Sequence, residues 1–178
     1  MGKIAAPAKV KLIAGFIFKD TAAFLKAKMA LGDIFGRTDF ESPALAFDRT
    51  DYYCREFGSP LKRKFVSFAK LIPPQKLAAI KNTTNAIEDK FSSKEKRRRV
   101  NIDPGYLDLA KVVLATTKDY SHRIYLSAGI FAEATLFYKQ GTFQPWPWTY
   151  PYYRSREYIA AFNRIREIYH ACIISKDA

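Results

Sequence analysis

Val10-Lys11-Leu12-Ile13-Ala14-Gly15-Phe16-Ile17-Phe18, followed at once by Lys19-Asp20-Thr21, is the stretch on which the fold turns. Its apolar residues are consecutive rather than alternate, so it reads as a strand buried on both faces, in the middle of a sheet. Asp20 and Thr21 supply a helix cap. Phe24, Ala27, Leu31, Ile34 and Phe35 then fall on one helical face, and Gly36 stops the helix.

Working outward, residues 38–58 have strand character at Phe40, Leu45 and Phe47, broken at Pro43, and hold the densest acidic patch of the chain. Gly58-Ser59-Pro60 turns into a strand over Lys62–Phe68. Pro73-Pro74 opens a helix with Leu77, Ile80, Thr84, Ile87 and Phe91 on one stripe. Val100-Asn101-Ile102 reads as a short strand closed by an Asp103-Pro104-Gly105 turn, where Pro fixes φ and Gly accepts a positive one. Lys111–Thr117 reads as a strand or as a helix running on from Leu107, and strands follow over His122–Leu126, Ile130–Lys139 and Thr142–Gln144, the first two of these flanking a three-residue Ser127-Ala128-Gly129 loop. Ser155 caps a last helix with Tyr158, Phe162, Ile165, Tyr169 and Cys172 in line. The order β-α-β-β-α-β is that of a ferredoxin-like start. A β-meander and a C-terminal helix extend it. The expectation is one α+β domain over residues 1–178, a single sheet with helices mainly on one face.

Composition narrows the functional classes. The chain has 178 residues, with 30 Lys and Arg against 17 Asp and Glu, a formal charge of +13. An aromatic content of 15% rules out a disordered chain. No apolar run is long enough to span a bilayer, and the run before Lys19-Asp20 lacks a signal-peptide cleavage site. Cys54 and Cys172 show no disulfide or zinc spacing. A cytoplasmic protein is expected, with no membrane partner.

The sequence contains no P-loop, dinucleotide fingerprint, zincin motif or nucleophile elbow. No cofactor and no metal site is expected. One constellation has the residue types for acid–base work: Asp103, His122 and Glu133 as catalytic candidates, with Arg99, Asn101, Lys118, Asp119 and Arg123 near them. Asp103 or Asp119 would orient His122 for proton transfer. The same aspartates also read as plain turn residues. A hairpin with Leu126 opposite Ile130 puts Arg123 across from Glu133 and turns His122 to the other face, which counts against a His122–Glu133 pair.

Charge and aromatic runs point elsewhere. Lys62-Arg63-Lys64 and Lys94 to Arg99, with Arg97, Arg98 and Arg99 at its end, are candidate anion-binding residues, joined by Asn101, Lys118 and Arg123. Residues 145–153 place five aromatics among three prolines. They form either a stacking platform for bases or a strap that seals the core. Asp51, Trp148 and Tyr150 are further pocket candidates. The acidic residues Asp39, Glu41, Asp48 and Asp51 either hold a hard cation or pair with the basic groups.

Five runs in order carry a resemblance: Thr50-Asp51-Tyr52-Tyr53, Gly58-Ser59-Pro60-Leu61-Lys62-Arg63, Val100 to Leu107, Ser121 to Leu126, and Pro147-Trp148-Thr149-Tyr150-Pro151. Over essentially the whole chain the sequence resembles the bacterial family called domain of unknown function 4416. That resemblance implies a single domain of this length and carries no activity across. Arg49 stands where the family usually has Phe. Three functions stay open: binding of a phosphorylated ligand (RNA or a nucleotide) through a basic surface, acid–base catalysis on an anionic substrate in an Asp/His/Arg pocket, and a non-catalytic assembly role.

Overall fold

The computed structural model describes residues 2–48, 53–93 and 97–177. Its elements are β1 (Val10–Phe18), α1 (Thr21–Phe35), β2 (Thr38–Glu41), β3 (Leu45–Ala46), a one-turn helix α2 (Cys54–Phe57), β4 (Lys62–Ile72), α3 (Leu77–Lys90), β5 (Val100–Leu107), β6 (Lys111–Thr116), β7 (Ile124–Ser127), β8 (Ile130–Lys139), β9 (Thr142–Pro145) and α4 (Arg156–Asp177). Pro74–Lys76 and Pro151–Arg154 form 3₁₀ turns ahead of α3 and α4. The strands make one sheet in the order β2-β4-β1-β5-β6-β8-β7, with β3 beside β4 and β9 beside β8. The protein is therefore α+β, its sheet open and antiparallel in the described pairings, with a C-terminal helix.

β1 is buried along its whole length and lies between β4 and β5, as its continuous apolar run requires. Its alternate residues feed two cores. Leu12, Phe16 and Phe18 pack with Phe24 and Leu31 of α1 and Ile80 and Ile87 of α3. Ile13 and Ile17 pack with Phe65, Leu107 and Leu136 under Tyr158, Phe162, Ile165 and Tyr169 of α4. The two crossover helices thus share one face, and the C-terminal helix adds a layer to the other. The lone charge of the run, Lys11, is fully buried; its Nζ donates to Asp39 Oδ2 at 2.5 Å and to the Phe68 carbonyl at 3.2 Å.

Three local expectations are corrected. β4 runs on to Ile72, because Leu71 and Ile72 pair with Lys11 and Val10 at the far end of β1. Asp103-Pro104-Gly105 is not a turn: it lies inside β5, paired with Gly15, Ala14 and Ile13. The β7–β8 loop has two residues, Ala128 and Gly129, at φ 51° and 77°, with Ser127 opposite Ile130. Positive φ at both positions is the geometry that matches strand twist in a tight hairpin. An irregularity between Tyr125 and Ser127 absorbs the residue the shorter loop gives back, so Ile124 faces Ala132 and Arg123 still comes opposite Glu133. No helix among the described residues is long and apolar enough to cross a membrane.

Candidate functional site

The sheet forks between β5 and β6. Only Gly105, Tyr106 and Leu107 of β5 pair with β6, opposite Leu114, Val113 and Val112. Pro104, which has no N–H for a ladder, stands where the strands part. Gly105 sits at their closest approach: a Cβ there would run into the Val113 carbonyl oxygen and the Leu114 side chain. Beyond the fork, side chains of α3 replace the missing strand. Glu88 Oε1 accepts from Ile102 N at 2.7 Å, and Lys81 Nζ donates to the Ile102 carbonyl at 2.9 Å. Both side chains are buried.

Arg98 closes this arrangement from outside. Its Nε and Nη2 form a fork on Glu56 at 2.7 Å each, and its Nη1 reaches Glu88 Oε2 at 2.8 Å and Asn101 Oδ1 at 3.0 Å. Burial pushes the Glu88 carboxyl above its ordinary range, against the pull of Lys81 and Arg98. Hydrogen bonds from Arg98 hold Glu56 below its ordinary range. The signs therefore oppose. The Glu56 contribution is present above the unfolded carboxylate value of about 4.3 and is lost as pH falls through the lowered folded value, whereas acid relieves Glu88. Glu56→Gln should be less stable than the native chain at pH 7, with the gap closing toward about pH 3. Urea midpoints at the two pH values check this, and an unchanged gap would rule it out.

The fork opens a cleft of about 830 Å³ that reaches α3 at Lys81 and Glu88, floored by Arg63, Asn101, Asp103 and Glu133 and walled by Tyr150, Tyr152 and Tyr153. Strand alternation sends Arg63 into it, and the side chain is only 3% exposed. Gly15 makes the room, since a Cβ there would meet the guanidinium. Nη1 pairs with Asp103 Oδ2 at 3.1 Å and Nη2 donates to the Tyr153 hydroxyl at 2.5 Å, and the guanidinium carbon lies over the rings of Phe65 and Tyr153, 5.1 and 5.5 Å from their centroids. Burial works against this charge, but the Tyr153 and Asp103 oxygens outweigh it and hold the group protonated. Burial likewise keeps Tyr153 neutral and pushes Tyr158 up to about 12. Arg63 Nε and Asn101 Nδ2, both buried, have no hydrogen-bond partner among the described residues. Such orphaned donors cost about 1–3 kcal/mol each and are uncommon in native folds.

His122 meets Glu133, contrary to the alternation argument: Nε2 lies 3.1 Å from Glu133 Oε2. Alternation fails because His122 precedes β7, in a turn closed by Arg123 N donating to the Tyr120 carbonyl. Arg123 Nε reaches the same Oε2 at 3.0 Å. Asp103 is spent on Arg63, so the expected Asp103–His122 pair does not form. Trp148 stacks between His122 and Trp146 and donates Nε1 to the Ala134 carbonyl, which pins the aromatic segment to β8. Tyr150 stacks on Tyr152 at the rim of the cleft.

Among the described residues, the side chains of the two basic runs go to different surroundings. Arg63 points into the cleft, while Lys62 is exposed and Lys64 pairs with Glu41. Arg98 is held by Glu56 and Glu88, Arg99 pairs with Asp20 at 2.7 Å, and Arg97 is exposed. Lys118 lines the cleft. Asp51, Lys94 and Lys96 lie outside the described residues. Of the acidic patch, Asp39 serves Lys11 and Ser67, and Glu41 serves Lys28 and Lys64. Among the described residues no group of three His, Cys, Asp or Glu side chains is placed to hold a metal ion. Lys81, Glu88 and Glu56 were not legible as site residues from composition or motif. The available signal was that Lys81 and Glu88 fall within the apolar stripe of α3, four residues after Leu77 and Thr84.

An open α+β sheet forked around a polar, tyrosine-walled cleft defines the class of protein. The chain belongs to the family described as Domain of unknown function (DUF4416), whose profile matches residues 8–169. No curated protein and no solved structure matches it.

Proposed function

We propose that the protein binds a small phosphorylated molecule with a planar ring, of mononucleotide size, in the cleft at the fork. The observation that carries this is the pair of buried, unpartnered donors, Arg63 Nε and Asn101 Nδ2, on one cleft floor. A ligand oxygen supplies the acceptor that each lacks. The cleft volume falls within the range of about 300–1,000 Å³ usual for small-molecule sites. Tyr150, 47% exposed and stacked on Tyr152, offers a ring face at the mouth. RNA is the less favoured partner, because its binding asks for a continuous basic face and, among the described residues, Lys64, Arg98 and Arg99 are already paired with carboxylates.

The test is a thermal-shift panel of AMP, GMP, CMP, UMP and inorganic phosphate on the native chain and on Asn101→Asp. The aspartate keeps an oxygen for Arg98 and replaces the orphaned donor by an acceptor. At least one mononucleotide should raise the melting temperature of the native chain by more than inorganic phosphate does, and the substitution should remove that excess. No shift beyond that of phosphate with any of them, or an equal excess in the variant, would refute the reading.

A second reading is acid–base catalysis on the bound molecule. Glu133 lines the cleft while His122 and Arg123 hold its Oε2. That leaves Oε1, which among the described residues has a 3.5 Å contact from Thr135 Oγ1, as the candidate proton acceptor. Incubation of the bound mononucleotide with native and Glu133→Gln protein, followed by NMR, distinguishes the readings: turnover lost in the variant supports catalysis, and an unaltered ligand supports binding alone.

A further inference from the structure

We infer that a second cleft, on the far side of Arg98 from the first, is a binding site for a tetrahedral dianion of the phosphate class. It has a volume of about 620 Å³ and is lined by Lys19, Asp20, Glu56, Phe57, Ser93 and Arg97 to Arg99. Its charges are already sorted. Glu56 is taken by Arg98 in a two-bond fork, and Asp20 by Arg99 through Oδ2 while its Oδ1 caps α1. Lys19 and Arg97 remain, both exposed and neither with a carboxylate partner among the described residues.

Two cations that line one recess without a carboxylate partner among the described residues match the charge of a phosphate dianion, and guanidinium and ammonium groups are its usual donors. The recess is preorganised on both sides. Ser93 N donates to the Arg97 carbonyl at 2.8 Å and Arg97 N reaches Ser93 Oγ at 3.3 Å, which fixes the backbone that presents Arg97. Lys19 packs beside Gly58, where an added Cβ would lie 3.1 Å from its Nζ. Phe57 gives the recess one apolar wall, which suits the organic part of a phosphate ester.

This site does not depend on the cleft at the fork, and the experiment separates the two. Inorganic phosphate and phenyl phosphate are titrated calorimetrically, at constant ionic strength, into the native chain, Lys19→Ala/Arg97→Ala and Arg63→Met. Both exposed positions tolerate truncation, so the double variant should keep the native melting temperature measured without phosphate. The expected result is one binding step, shown by both probes on the native chain, that is weakened about a hundredfold or more in Lys19→Ala/Arg97→Ala and kept in Arg63→Met, whatever further step phenyl phosphate makes at the fork. Either order of the two affinities fits the site, a tighter ester assigning it to the phosphoryl group of a larger molecule. Absence of binding to the native chain, equal binding to the double variant, or loss in Arg63→Met instead would overturn the inference.

Discussion

Glu88→Ala should destabilise the protein by about 3–5 kcal/mol, the usual cost of stripping one partner from a buried ionic cluster. At about 2–4 °C per kcal/mol for a chain of this length, the melting temperature should fall by roughly 10 °C. The reason is specific to the fork. Glu88, 3% exposed, is at once the acceptor for Ile102 N and the counter-charge for Arg98 and the buried Lys81. Alanine leaves a β-strand amide unpaired and a buried ammonium uncompensated. Adding Lys81→Met to Glu88→Ala should recover part of the loss, because the stranded charge goes with it, although the Ile102 carbonyl then lacks its donor. Thermal and urea denaturation of the two single variants and the double variant gives the cycle. A loss below about 1 kcal/mol, the scale of an exposed pair, would show that α3 does not replace a strand here.

Gly105→Ala should cost about 3 kcal/mol and open the fork. The added methyl meets a backbone oxygen, that of Val113, which cannot swing aside as a side-chain tip can. Overpacking of this kind costs about 1–3 kcal/mol. The strain falls on the three residue pairs that join β2, β4, β1 and β5 to β6, β8 and β7. Each ladder hydrogen bond lost adds about 0.5–1.5 kcal/mol. Amide exchange at Tyr106 and Val113 should accelerate more than at Phe16, which sits in the undisturbed β1–β5 ladder. Uniform exchange with native stability would contradict the account of the fork.

Much of the fold was open to reading because its signals are local. The run Val10–Phe18 could only be a central strand, and the stripes of α1, α3 and α4 follow a helical period along their lengths. The site was less open, since it depends on where two strands stop pairing. Pro104-Gly105 has the chemistry of a turn, and only its neighbours show that the same residues end a ladder. Arg63 reads as one cation in a run of three until alternation and the space beside Gly15 bury it. His122 meets Glu133 because it lies one turn short of the strand whose alternation was used to place it.

The most direct test of the ligand site is a ¹H–¹⁵N spectrum that follows Arg63 Nε–H and the Asn101 side-chain amide during titration with the mononucleotide giving the largest thermal shift. Both groups are buried and without acceptors among the described residues. Ligand binding at the fork should move both resonances together, saturating at one ligand concentration, as each gains an acceptor. Binding that leaves both where they stand would place the ligand elsewhere and contradict the account.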